Sequence, residues 1–136
     1  MGGGPRDGGC FCGRVRYTVT GEPLGAAVCH CVSCRQASGA QSVAWLTIPL
    51  ENVSFVSGVP AEYRSSAEVS RTFCEGCGTS LTSRHDGEPD SIDVTAASLD
   101  LPNEFSPARH IWLEDKVAWE GVNDGLPQFE QGGPPG

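Results

Sequence analysis

The sequence contains no uninterrupted apolar stretch approaching the roughly eighteen residues that a membrane-crossing helix needs, which excludes a helical membrane span. It is also poor in cations: nine Lys and Arg stand against seventeen Asp and Glu, for a formal net charge of -8. The basic residues form no stripe, so a phosphate-driven nucleic-acid binder is excluded too. The opening Met1-Gly-Gly-Gly-Pro5-Arg6-Asp7 lacks the apolar core of a secretory leader, and the expected address is the cytosol. No repeat of fixed period is present. Hydrophobic residues reach only 38%, with 18 Gly and 10 Pro, a composition that suits short strands and turns better than long helices. A chain of 136 residues fits one domain with a modest core.

What the sequence does have is cysteine, seven in all and every one in a cluster: Cys10-x-Cys12, Cys29-His30-Cys31-x-x-Cys34 and Cys74-x-x-Cys77. An odd number cannot pair off completely as disulfides, and partners two or three residues apart are poorly placed to bridge one another. In a reducing compartment such clusters read as metal ligands or redox groups. The first and last pairs together can close a site of four thiolates, which leaves the middle cluster with three thiolates and an open fourth position. Closed sites are structural, whereas open ones can do chemistry. Soft thiolates select zinc, and the spacings do not match the common ferredoxin runs. For Cys29, Cys31 and Cys34 two rivals stand beside the open zinc site: a redox set of thiols, or a tetrahedron completed by His30 or His110. Alternation along the chain turns His30 away from its cysteine neighbours.

Along the chain, Val15, Tyr17 and Val19 share one parity and Cys12, Arg14, Arg16 and Thr18 the other, the period of a half-buried strand whose entrance carries Cys10 and Cys12 on one face. Strands are expected over 26–31, 41–48, 51–58, 79–84 and 91–97, with a turn or short helix over 33–39. Residues 63–73 alternate as one further stretch. The expected class is all-β, made of short antiparallel strands with at most short helical turns. Residues 1–8 are expected to be flexible, 9–124 to form a single zinc-binding domain, and 125–136 to be a Gly/Pro-rich tail over the surface or disordered.

An external thiol is the natural fourth ligand of an open zinc site, because coordination deprotonates it. The resulting sulfur nucleophile can add to a small aldehyde, and the reverse reaction is a carbon–sulfur lyase step. Arg35, next to Cys34, is the side chain expected to hold a substrate carboxylate, with Arg71 a weaker candidate. His30, His85 and His110 are the candidate proton carriers. Ser33, Ser65 and Ser66 have no histidine and carboxylate tied to them by spacing, and hydrogen bonding in turns is their expected role. Trp45, Trp112 and Trp119 are expected in the core.

Taken in order, Gly9-Cys10-Phe11-Cys12-Gly13, Val15-Arg16-Tyr17, Cys29-His30-Cys31-x-x-Cys34-Arg35, Gly39-Ala40, Tyr63-x-Ser65-Ser66, Arg71-x-Phe73-Cys74-x-x-Cys77-Gly78-Thr79, Ser98-Leu99-Asp100 and His110-Ile111-Trp112 resemble the glutathione-dependent formaldehyde-activating enzyme family, which includes centromere protein V. The resemblance implies the zinc-bearing all-β fold called the β-tent. It implies two zinc ions, a structural one on Cys10, Cys12, Cys74 and Cys77 and a catalytic one on Cys29, Cys31 and Cys34. It also implies S-(hydroxymethyl)glutathione chemistry, with glutathione and formaldehyde as partners. The competing expectations are a non-catalytic zinc module that binds glutathione or a protein partner, and a thiol redox or zinc-buffering protein.

Overall fold

The computed structural model describes residues 4–134, so Met1–Gly3 of the segment expected to be flexible and Pro135–Gly136 of the tail lie outside the described residues. Strands β1 (Arg6–Gly9), β2 (Arg16–Val19) and β5 (Val53–Ser57) form an antiparallel sheet in the order β1-β2-β5. A larger sheet holds β3 (Gly25–Cys29), β4 (Val43–Pro49), β6 (Ala61–Arg64), β7 (Val69–Phe73), β8 (Ser80–His85), β9 (Ser91–Thr95) and β10 (Arg109–Ile111). Its order is β10-β3-β4-β9-β8-β7-β6, antiparallel throughout except where β10 runs parallel to β3. Among the described residues one α-helix, α1 (Val32–Ser38), accompanies the strands together with isolated 3-10 turns. The all-β, loop-rich expectation holds. No helix of the described residues is long and apolar enough to cross a membrane.

Period-2 alternation gives the large sheet two unlike faces. Leu46, Ile48, Ile92 and Val94 point into a core shared with Val15, Tyr17 and Val19 of the small sheet and with Leu81 and Leu99. Each large apolar side chain buried there contributes on the order of 1.5–3 kcal/mol. Their neighbours Trp45, Thr47 and Asp93 project from the opposite face, in register across the β4–β9 pair. That second face is the floor of the site described below.

Three expectations need correction. The segment expected to be flexible from residue 1 to 8 reaches strand β1, paired in register from Arg6↔Val19 to Gly9↔Arg16. Gly8 is there because a Cβ would meet the Tyr17 ring at 2.5 Å and the Ser98 carbonyl at 2.8 Å. Residues 63–73 are two strands of a hairpin, β6 and β7, with Tyr63 opposite Arg71. Cys10 and Cys12 sit in a turn ahead of β2, closed by Gly13 N–H donating to the Cys10 carbonyl and Cys10 N–H donating to the Val15 carbonyl.

The C-terminal segment is laid over β10. His110 N–H donates to the Pro127 carbonyl, Phe129 N–H to the His110 carbonyl, and Trp112 N–H to the Gln131 carbonyl. These bonds hold Trp112 in the left-handed region at φ 61, a conformation a bulky residue adopts only where its surroundings impose it. Trp119 is 75% exposed, so it lies outside the core in which all three tryptophans were expected.

Candidate functional site

The four sulfurs of Cys10, Cys12, Cys74 and Cys77 lie within 4.8 Å of one another, as do the three of Cys29, Cys31 and Cys34. In the first group the Cys10 and Cys12 sulfurs are 3.6 Å apart, and those of Cys12 and Cys74 are 3.8 Å apart. A tetrahedron of thiolates about 2.3 Å from a zinc ion has sulfur edges of about 3.8 Å, so this donor set fits the ion. Two turns deliver it. Residues 74–78 form a knuckle in which Gly78 at φ 84 lets its N–H reach back to the Cys74 carbonyl. In the turn ahead of β2, Val15 N–H donates to Cys10 Sγ at 3.2 Å.

Thr79, which the sequence offers only as a residue of the knuckle, joins the two turns. Its hydroxyl oxygen accepts from Phe11 N–H at 3.0 Å and lies 3.2 Å from Cys77 Sγ. That hydroxyl is the main reason the Cys77 thiol is held at about 5, as the thiolate a metal needs. Thr79→Val keeps the shape and removes the hydrogen bonds. Metal affinity at this cluster is expected to fall by about 10–100-fold, read by competition with a chromophoric chelator.

The second cluster is assembled at a strand-to-helix junction. Cys29 ends β3, Cys31 caps α1 with its sulfur accepting from Cys34 N–H at 3.3 Å, and Cys34 lies one turn on. Cys29 and Cys34 are buried, whereas Cys31 is half-exposed. As free thiols they share protons unequally: hydrogen bonds from Cys29 and then Cys34 hold Cys31 far below the ordinary thiol value, and the hydrogen bond to Cys31 pushes Cys29 far above it. Three soft donors gathered within 4.8 Å of one another are suited to a dication, which displaces their protons on binding. Trp45 Nε1–H donates to Cys34 Sγ at 3.4 Å, and Arg71 Nη2 lies 3.9 Å from the same sulfur.

The three thiols open onto a cavity of about 470 Å³ whose walls include Trp45, Thr47, Arg71, His85, Asp93 and Asp115. A second cavity of about 320 Å³, against Tyr63 and Phe73, shares the Trp45 and Arg71 walls. Arg35, expected to hold a substrate carboxylate, does not line the thiol cavity. Its Nε is buried and lacks a hydrogen-bond partner. The cation on the wall is Arg71, whose Nε donates to Ser65 Oγ at 2.9 Å, which gives Ser65 a positioning role.

Of the three histidines, His85 lines the cavity, with its Nε2 3.3 Å from Glu68. His30 and His110 do not complete the three-thiol cluster. His30 is fully buried on the far side, its Nε2 2.9 Å from His110 Nδ1, and His110 Nε2 is 2.8 Å from Asp124 Oδ2. Three of their four nitrogens make a chain that ends on Asp124 of the C-terminal segment, while His30 Nδ1 is buried without a hydrogen bond, 3.3 Å from Glu120 Oε1. The residue that sequence reasoning missed is Asp93. It accepts from Thr47 Oγ1 at 2.7 Å, and burial pushes its carboxyl above the ordinary value. An Asp in an alternating strand reads as solvated, and the signal that it is not is its place in register with Thr47 on the site face.

Comparison with known proteins was made on this footing. A curated protein of Schizosaccharomyces pombe, described as an uncharacterized lyase, is 31% identical over 75 residues. The match covers 55% of this chain, and the chain spans about half, 54%, of that relative's length. A solved structure of a Rhodobacter sphaeroides protein superposes with a TM-score of 0.60 at 22% identity, over 90% of this chain and 98% of that one, a likeness of fold. The family model described as glutathione-dependent formaldehyde-activating enzyme matches residues 5–115, and the chain belongs to that family.

Proposed function

We propose that this protein is a zinc-dependent carbon–sulfur lyase that forms or cleaves the adduct of a small-molecule thiol with a small aldehyde, the family's named pair being glutathione and formaldehyde. The observation that carries this reading is the convergence of Cys29, Cys31 and Cys34 on an open cavity with a carboxyl and a guanidinium in its walls. The relative described as a lyase supports the same reaction class. Two zinc ions are assigned, a structural one to Cys10, Cys12, Cys74 and Cys77 and a catalytic one to Cys29, Cys31 and Cys34. When bound at the three-thiol cluster, zinc supplies an open position at which an incoming thiol ionises near neutral pH.

The remaining work falls to the chain. In the synthetic direction the substrate's S–H proton leaves, the carbon–sulfur bond forms, and the aldehyde oxygen gains a proton; cleavage is the reverse. Asp93 Oδ2 is the atom assigned to carry that proton, since Oδ1 is held by Thr47 and burial raises the carboxyl toward the range of a useful acid–base group. Arg71 stabilises negative charge at Cys34, and Trp45 and Trp112 bound the cavity and limit water.

Asp93→Asn keeps the acceptor for Thr47 and loses the proton carrier. Adduct cleavage, followed by NMR of the released aldehyde, is expected to slow by about 10²–10⁴-fold. The same variant is expected to melt higher at neutral pH. A carboxyl with a raised folded value binds its proton more tightly in the native state, so it costs stability as pH rises above the ordinary value of 3.8. The gain of the variant therefore shrinks as pH falls toward that value. Unchanged cleavage in a well-folded Asp93→Asn protein removes Asp93 from the reaction, and absence of cleavage by the wild type with any thiol–aldehyde adduct removes the proposed function.

A further inference from the structure

Resting on the thiol–aldehyde reading, the charge of the cavity points to the kind of thiol it takes. Its walls carry two carboxyls, Asp93 and Asp115, against one guanidinium, Arg71. That guanidinium is not free: Nε donates to Ser65, Nη2 faces Cys34 Sγ, and its field also acts on Asp93. His85 is tied down on both sides, Nε2 by Glu68 at 3.3 Å and Nδ1 by accepting from Gly87 N–H at 3.0 Å. Arg35 lies outside the cavity. Asp115, by contrast, has no ion-pair partner among the described residues. Three thiolates also outweigh one divalent ion, so the floor of the cavity stays negative when the cluster is filled. A glutathione-type thiol brings two carboxylates and one ammonium into this field, a net negative charge, and finds no uncommitted cation fork to receive the carboxylates. An ammonium group instead finds Asp115 without an ion-pair partner and the Asp93 carboxyl in the wall of the same cavity.

We propose that the thiol preferred by this cavity carries no carboxylate, and that an ammonium-bearing thiol is preferred over all others, with Asp115 as its principal partner and Asp93 as the second carboxylate.

The test is binding, separate from turnover. Cysteamine, 3-mercaptopropionate and glutathione are titrated into zinc-loaded protein at low ionic strength, and affinity is read by calorimetry and by quenching of tryptophan fluorescence. Wild type is expected to bind cysteamine at least about tenfold more tightly than 3-mercaptopropionate, and glutathione no better than the latter, with the ratio narrowing in high salt. In Asp115→Asn the cysteamine to 3-mercaptopropionate ratio is expected to fall by about tenfold. A comparison of ratios between the two proteins cancels each thiol's own acidity. Tighter or equal binding of 3-mercaptopropionate or glutathione by the wild type overturns the preference and leaves the lyase reading standing. A ratio unchanged in Asp115→Asn overturns the assignment to Asp115. Failure of every thiol to bind overturns the thiol reading and the preference with it. The wild-type series needs no variant, so a misfolded Asp115→Asn protein does not shelter the proposal.

Discussion

Cys74→Ser is expected to abolish the cooperative folded state, because Cys74 is the fully buried member of the four-thiol cluster that ties the turn at Cys10 to the knuckle at Cys77. These turns are more than sixty residues apart in sequence, joined by the cluster, by Thr79, by a Cys12 backbone hydrogen bond to Cys77 and by the Arg14 side chain lying against Gly76. Closing so long a loop costs conformational entropy that the bonds of the cluster must offset. Binding of zinc by a structural thiolate site is worth on the order of 10 kcal/mol, comparable with the whole stability of a domain, about 5–15 kcal/mol. Serine keeps the volume of the side chain and loses the soft donor. The measurement is a thermal melt by circular dichroism beside metal content by elemental mass spectrometry. A sharp transition within a few degrees of wild type would show that the cluster does not hold the fold.

Cys31→Ser is expected to do the opposite: retain the fold, retain one zinc ion of two, and lose adduct cleavage entirely. The chain tolerates the exchange because Cys31 is the half-exposed N-cap of α1, where its sulfur accepts from Cys34 N–H, and serine is among the best residues at that position. Two of three soft donors remain, too few to hold the ion with a position left open for a thiol. The same melt and metal assay therefore separate the two clusters. If Cys31→Ser and Cys74→Ser melted alike, the division into a structural and a catalytic site would be wrong.

The hairpin of β6 and β7 was not legible because of its arithmetic. Tyr63 lies opposite Arg71 and Ala61 opposite Phe73, so partners share parity and the alternation runs through the turn without a break. Ser65-Ser66 was the one local sign of reversal. Strand β1 was hidden for a different reason, since Gly8 and Gly9 have no side chains to show a pattern. Its pairing rests on backbone bonds and on the space beside Tyr17. The parity of Val15, Tyr17 and Val19 was readable and correct, because burial alone sets it.

Local chemistry determined what the sequence could announce: seven soft donors in three short-range clusters, an all-β pattern, and the histidine that turns away from its cysteine neighbours, all of them consequences of spacing along one backbone. The tertiary structure decided which charges face the three-thiol cluster. Arg71 rather than Arg35 reaches the thiols, and Asp93 and Asp115 arrive from β9 and from the turn after β10. That outcome depends on the pairing of strands distant in sequence and on the C-terminal segment bound over β10. A residue's neighbours across a sheet are set by register, and register has no signature in the residue itself.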